Sequence, residues 1–381
     1  MSHDVKSDSE GVKTPMVIAA VARKPHSDFS IEDIELGAMR PDEVRVKILG
    51  VGVCHTDLVI RDQFMPYPLP AVLGHEGAGI VEAVGSDVVD LVPGDHVVLG
   101  FAHCGACPRC DRGLPSYCLS FGALNYAGKR LDDGSTAFSK DGENLSSHFF
   151  GQSSFSSSTI VAARNAVKVD ASLPIALLGP LGCGFQTGAG SVMRSLACTP
   201  GSSIAIFGGG PVGLAAVMAA VIRGCSTIIL VDPLESRRDA ARDMGATHVI
   251  DPVSTDLGEA LSAIAADGLD YVLDTTGNEQ VVQTALAHLG NHGAMGLVGI
   301  PKSGEAAISV NIASLLVSGQ RIMGIIEGDS DPQSFIPELL DHFKAGRFPF
   351  DRLIKTFPLA EINEAIAVQA RGDCVKAVLI P

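Results

Sequence analysis

Four cysteines within fifteen residues, Cys104, Cys107, Cys110 and Cys118, constrain this chain more than any other feature. They stand in FAHCGACPRCDRGLPSYC, a glycine- and proline-bearing stretch that lacks enough apolar residues to build a core of its own. Two x2 spacings followed by x7 let four thiolates close a tetrahedral zinc site. That spacing matches neither common ferredoxin pattern, so an iron–sulfur centre is the poorer reading. A zinc held here is structural, ordering a lobe over about residues 101–122.

A second, open constellation accompanies the closed one. Cys54 in GVCHTDL, His75 in GHE and Cys183 in LGCGFQTG supply two thiolates and one imidazole. Three protein ligands, with a fourth position left for water or substrate, make the arrangement of a catalytic zinc. Asp57 follows Cys54 closely and is a candidate acceptor for the free imidazole N–H of His75, which would fix its tautomer. Glu76 adjoins His75 and is a candidate for lying near the metal and assisting ligand exchange. A single cysteine in an apolar run is more often a packed small hydrophobe, and Cys198, Cys225 and Cys374 are read that way.

At 381 residues the chain suits two domains better than one simple core. A net charge of −15 with no basic block argues against nucleic acid and anionic membrane as partners. The opening MSHDVKSDSEGVKTP lacks the apolar core of a secretory signal and reads as a short frayed tail. Nine cysteines without an export signal point to a reducing compartment, the cytoplasm. The apolar stretch Ile204–Ile222 is long enough to suggest a membrane span. Gly208, Gly209, Gly210, Pro211 and Gly213 instead split it into a strand, a tight turn and a helix.

From Val17 to about Gly100, short β-branched runs such as VIAAVA, EVRVKILGVGV and DHVVLGF alternate with turns. Residues 101–150 read as one long functional loop. From about Pro200 the rhythm becomes strand then helix: SSIAIFG, PVGLAAVMAAVIRG, STIILVD, PLESRRDAARDMG and THVID, followed by the strand candidates DYVLDTTG and HGAMGLVGI. This alternation predicts a parallel, doubly wound sheet. A helix over PQSFIPELLDHFKAG and a final strand VKAVLIP close the chain.

Gly208-x-Gly210-x-x-Gly213 follows the first apolar strand of that half and opens its helix. The three glycines suit a tight turn, close approach of a pyrophosphate, and close helix–strand packing. With 42 glycines in the chain the pattern alone is weak. What strengthens it is Asp232, nineteen residues after Gly213 at the end of the next strand. A carboxylate there accepts adenosine-ribose hydroxyls and repels a 2′-phosphate, which favours NAD over NADP. Arg237 softens that preference without reversing it.

Taken together and in this order, GVCHTDL, GHEGAGIV, the Cys104–Cys118 lobe, LGCGFQTG and FGGGPVG resemble the zinc-dependent medium-chain alcohol dehydrogenases. The resemblance covers nearly the whole chain, from about Val17 onward. HFFGQSSF, GPLGCGFQTGAGSV and GIIEGDSDPQSFIP, less specific motifs, resemble the benzyl-alcohol (aryl-alcohol) branch, which includes relatives acting on monoterpene alcohols.

The resemblance implies an α/β architecture: a GroES-like, β-rich catalytic domain from residues 1–184 and 327–381, and a Rossmann-type domain over 185–326. It implies one catalytic zinc on Cys54, His75 and Cys183, and one structural zinc on Cys104, Cys107, Cys110 and Cys118. Thr56 matches the hydroxyl that bonds the substrate alcohol and takes its proton. Asp232 and Arg237 match the adenosine-ribose contacts, and Lys376 a basic residue near the pyrophosphate. Two departures stand out. Val59 occupies the position where many relatives carry a histidine that completes a proton relay. His55 replaces an arginine that faces the pyrophosphate in several relatives, and is a candidate for cofactor contact or proton transfer. Leu119-Ser120-Phe121-Gly122 also lacks the arginine of glutathione-dependent formaldehyde dehydrogenases, which weighs against that substrate class.

The activity expected on this basis is hydride transfer between NAD and a hydrophobic primary alcohol or its aldehyde, an aryl alcohol first. Allylic monoterpene alcohols of the geraniol or perillyl type, or alcohols in general, are the alternative. Met65, Phe149, Phe150 and Ile300 are the pocket wall that the resemblance offers, although the phenylalanine pair equally suits a core. The partner is a small alcohol or aldehyde, and the assembly a homodimer or homotetramer with an edge strand of the nucleotide domain as its seam. A non-catalytic NAD- and zinc-binding protein is the reading from another class; the presence of all three ligands and Thr56 weighs against it.

Overall fold

The computed structural model describes residues 15–381, so the tail expected over residues 1–14 lies outside the described residues. Three sheets organise the described residues. The first runs Ala71–Val72, Met16–Ala22, Ser30–Leu36, Phe138–Lys140 and Glu143–Leu145 in spatial order. The second is built around the long strand Glu43–Gly52, whose neighbours include Gly77–Val84, Ser158–Ala162 and the last strand, Lys376–Ile380. Strand Lys376–Ile380 pairs antiparallel through Val378↔Gly52 and Leu379↔Val51, so the end of the chain returns to the N-terminal half.

The third sheet is parallel throughout. Its order is His248–Ile250, Thr227–Val231, Ser203–Phe207, Leu269–Asp274, Leu289–Leu297 and Arg321–Gly324. In sequence numbering this is 3-2-1-4-5-6, the doubly wound order whose switch point lies beside the first strand. Strand Ser203–Phe207 reads SIAIF and buries all but its first residue, as a strand covered on both faces must. The turn then opens helix Pro211–Arg223, with proline in its first turn and Gly224 left-handed (φ 74°) just past its end. The apparent membrane span is thus the predicted strand, turn and helix. Among the described residues no helix is long and apolar enough to cross a membrane.

Residues 101–150 depart from the predicted loop. They contain helix Phe121–Tyr126 and the hairpin Phe138–Lys140/Glu143–Leu145. The hairpin is strand because Leu36↔Phe138 and Glu35↔Ser139 add it to the first sheet, a long-range pairing that leaves no alternation in so short a segment. Buried Asn125 ties the helix to the lobe: its Nδ2 donates to Ala102 O and Phe121 O, and its Oδ1 accepts from Ala102 N.

One short helix, Gly184–Gly190, links the halves by packing on Pro211–Arg223. A Cβ at Gly188 would lie 1.9 Å from Val212 O, so only glycine allows this contact.

Candidate active site

Strand Glu43–Gly52 delivers the chain to Cys54, which caps helix His55–Arg61. The Asp57 carboxylate, fully buried, organises this corner. Its Oδ2 accepts Cys54 N–H at 2.9 Å, and its Oδ1 accepts Gly74 N–H at 3.1 Å and stands 2.9 Å from His75 Nδ1. One side chain thus fixes the backbone of Cys54 and the ring of His75, as expected of a group that orients a metal-bound histidine. The aromatic pair completes the setting of that ring: Phe150 stacks on His75 at 4.5 Å between centroids, and Phe149 meets it edge-on at 5.2 Å.

Cys54, His75, Glu76 and Cys183 each offer an atom to one cluster, all within 4.8 Å of one another. His75 Nε2 is buried there without a hydrogen-bond partner. The Cys54 thiol is held well below its usual range by its hydrogen bond with Cys183 and by the nearby charges of His75 and Lys376. That hydrogen bond and burial push the Cys183 thiol up. Burial disfavours the charged His75 ring, yet Asp57 and Cys54 outweigh it and raise its pKa. Two thiols and an imidazole nitrogen with no other partner, converging within 4.8 Å, form a soft donor set that suits zinc.

Glu76 is buried and its pKa is pushed up to about 7 by desolvation, with the charge of Lys376 pulling the other way. Its Oε1 accepts Gly184 N–H at 3.2 Å and its Oε2 pairs with Lys376 Nζ at 2.5 Å. The Lys376 side chain is 1% exposed and also donates to Val53 O at 2.9 Å, and a carboxylate buried as deeply as Glu76 requires such a counter-charge. A Cβ on Gly52 would stand 1.9 Å from Glu76 Oε2, so the glycine makes room for the pair.

Thr56 Oγ1 lies 3.7 Å from Cys54 Sγ and faces the cluster, while His55 is exposed on the first turn of the same helix. Val59 is buried, so no titrating side chain stands at the position of the missing relay histidine. Phe149 and Phe150 are core residues as well as the wall behind His75. Met65 is half-buried against the same core, and Ile300 lies on the nucleotide-sheet side, its carbonyl over Gly277.

The four lobe cysteines also converge. Sγ–Sγ separations of 3.9 Å for Cys104–Cys110, 3.6 Å for Cys107–Cys110 and 4.0 Å for Cys107–Cys118 are too long for disulfides. They approach the ~3.8 Å edge of a tetrahedron with bonds of about 2.3 Å. Backbone N–H groups of Cys104 and Ser120 point at Cys118 Sγ, and that of Ala106 at Cys104 Sγ, which suits thiolates.

At the nucleotide end, Gly208 turns with φ 100°, and a Cβ at Gly213 would lie 1.8 Å from Gly208 O. Nothing lies within 4 Å of a Cβ built on Gly210, which leaves the helix N-terminus open to a phosphate. Asp232 sits at the end of the second strand, where its carboxylate accepts Gly209 N–H at 2.7 Å and Leu234 N–H at 2.8 Å. Arg237 Nη1 is 3.7 Å from Asp232 Oδ2. A Cβ on Gly184 would touch Glu76 Oε1 at 3.1 Å and Pro211 Cβ at 3.9 Å, so the metal set and the nucleotide helix meet at this residue.

Residues 40–171 match the alcohol dehydrogenase GroES-like domain, and residues 211–345 the zinc-binding dehydrogenase domain. The geraniol dehydrogenase of Castellaniella defragrans is 46% identical over 363 residues, covering 95% of this chain and 97% of its own. This chain belongs to the zinc-dependent medium-chain alcohol dehydrogenases. Two solved structures resemble the dehydrogenase throughout. An alcohol dehydrogenase zinc-binding domain protein from Burkholderia ambifaria is 50% identical, with a TM-score of 0.93 over 97% of this chain and 100% of its own. The benzyl alcohol dehydrogenase from Acinetobacter calcoaceticus is 42% identical, with a TM-score of 0.92 over 96% and 99%.

Two buried side chains of the dehydrogenase's site escaped the sequence reading. Gln152 donates from Nε2 to His75 O at 2.9 Å and accepts Gly77 N–H at 3.0 Å. Glu327 places Oε1 3.7 Å from Cys183 Sγ. Neither sits at ligand spacing, and polar neighbours (Ser153 and Ser154 after Gln152, Asp329 and Ser330 after Glu327) leave no local pattern to mark them.

Proposed function

We propose that this dehydrogenase transfers hydride between NAD and a hydrophobic primary alcohol or aldehyde, with aryl alcohols as the favoured class. The observation that carries the reading is the three-donor set of Cys54, His75 and Cys183, with His75 Nε2 unpartnered and its ring held by Phe149 and Phe150. When bound there, zinc supplies Lewis acidity toward the alcohol oxygen. NAD supplies the hydride acceptor, and its chemistry is the cofactor's own once aligned. The protein's part is orientation. Asp57 holds Cys54 and His75, Thr56 would accept the substrate hydroxyl proton at Oγ1 while its own hydroxyl proton passes to the nicotinamide ribose, and Glu76 with Lys376 balances charge behind the cluster. His55, exposed on the same helix, is the candidate for cofactor contact or onward proton transfer. Met65 and Ile300 complete the proposed wall.

The division into a catalytic domain of 1–184 and 327–381 around a nucleotide domain of 185–326 is supported by the return of Lys376–Ile380 to Glu43–Gly52. The second zinc is assigned to the Cys104–Cys118 lobe. For the proposed homodimer or homotetramer, the seam is the edge strand Arg321–Gly324 with helix Ile312–Ser318, where Ile312, Leu316 and Val317 are more than four-fifths exposed. The proposed location is cytoplasmic.

A direct test measures kcat/KM for benzyl alcohol and ethanol with NAD. The expected result favours benzyl alcohol by roughly 100-fold, about 2.7 kcal/mol of transition-state discrimination. Equal values would remove the aryl pocket while leaving the zinc chemistry standing. The similarity to a geraniol dehydrogenase favours one second reading, an allylic terpene alcohol, and geraniol belongs in the same series. A geraniol value well above that of benzyl alcohol would move the assignment there.

Asp232→Gly tests the cofactor. Loss of the carboxylate beside Gly209 should raise kcat/KM for NADP relative to NAD by about tenfold, on the order of 1.4 kcal/mol. An unaltered ratio would show that Asp232 does not read the ribose.

A further inference from the structure

Glu327 begins a tripeptide with unusual backbone. Glu327, Gly328 and Asp329 all adopt positive φ, at 53°, 67° and 50°. Two of the three are not glycine, and such conformations persist only where the surroundings impose them. Here the surroundings are specific. Gly328 lies so close to helix Gly184–Gly190 that a Cβ on it would stand 2.5 Å from Gln186 O and 2.9 Å from Gly190 Cα. Ser330 Oγ donates to Glu327 O at 2.8 Å. The bend thereby directs a carboxylate into the interior at a residue only 7% exposed.

That carboxylate meets the segment carrying Cys183. Its Oε1 is 3.7 Å from Cys183 Sγ, and its Oε2 accepts from Gln186 Nε2 at 3.2 Å and from Thr187 Oγ1 at 3.4 Å. The other end of the tripeptide is held by the cysteine lobe. Tyr117, adjacent to Cys118, donates its hydroxyl to Asp329 Oδ1 at 2.7 Å and contacts Gly324 O at 3.1 Å. Asp329 Oδ1 also accepts Ile326 N–H at 3.3 Å. A continuous run of contacts therefore joins the lobe to the thiol of the open metal set.

We propose that Glu327 is a positioning residue for Cys183, and that the cysteine lobe holds it in place through Tyr117 and Asp329. A metal bound in the lobe would then do more than order a loop: through Tyr117 and Asp329 it would hold Glu327 against Cys183. The proposal rests on the reading of both cysteine sets as metal centres. It concerns contacts outside the ligand set, whose loss characteristically weakens metal binding by about 10–100-fold.

The test follows metal rather than turnover. The full-length protein is loaded with zinc, and release to a chromophoric chelator is timed. The cobalt-substituted protein reports sulfur-to-metal absorption in parallel. Two ions per chain should leave in separate phases, and Cys54→Ser identifies the phase belonging to the open set. Glu327→Ala should speed that phase by about tenfold or more and shift the cobalt absorption, with the lobe's phase unchanged. Glu327→Gln, which keeps an acceptor oxygen for Gln186 and Thr187, should restore most of the retention. Tyr117→Phe, which removes one hydroxyl and leaves the ring, should speed the same phase to a smaller extent. Wild-type release and absorption in Glu327→Ala would overturn the proposal. If that variant does not fold, unchanged release from the open set in Tyr117→Phe overturns it instead. A wild-type chain that holds one ion only would overturn the two-centre reading and the proposal with it.

Discussion

Cys54→Ser is expected to reduce turnover by about ten-thousandfold, on the order of 5 kcal/mol of lost transition-state stabilisation. The reason is local. Cys54 offers one of two thiols in the open set, and a serine hydroxyl is a far weaker zinc ligand than a thiolate. The fold should survive, because Cys54 stands at the N-cap of helix His55–Arg61, a position serine occupies well. The unfolding temperature should therefore hardly move while metal content falls by one ion per chain. Activity near the wild-type value would remove Cys54 from the ligand set.

Cys104→Ser should reverse that order of effects. The lobe cysteines are mostly half-exposed and the segment around them contributes few residues to the core, so bound metal supplies much of its order. Losing that ion should lower the unfolding temperature by on the order of 10 °C. Calorimetry with metal analysis checks both parts. If metal content were unchanged, the four-cysteine site would not be a metal centre.

The two outcomes separate because the two sets differ in what surrounds them. His75 has no exposed ring atoms and lies against Phe149, Phe150 and the Asp57 carboxylate. The lobe instead depends on backbone N–H groups aimed at sulfur, on Asn125, and on the Tyr117 contact.

Much of this molecule was legible in its residues. The quartet spacing, the GHE and LGCGFQTG motifs and the Gly208–Gly213 turn depend on neighbours along the chain, and a local pattern carries local geometry. The strand–helix alternation after Pro200 likewise anticipated the parallel sheet, since strands buried on both faces must be apolar throughout. Asp57 beside His75 was anticipated for the same reason: it caps the helix that Cys54 begins, within three residues.

What escaped the sequence has a common cause. The hairpin at Phe138–Leu145 is strand only because it meets Ser30–Leu36 about a hundred residues away. The pairing of Lys376 with Glu76 depends on the return of the last strand to Glu43–Gly52, where burying a carboxylate demands a cation. Gln152 and Glu327 reach His75 and Cys183 from 77 and 144 residues away. By itself the sequence singled out the clustered thiols, His75 and the Gly208–Gly213 turn, because ligand chemistry and turn geometry are properties of short stretches. Only the tertiary structure decided which buried charges face one another around those atoms, because that depends on how distant segments exclude water together.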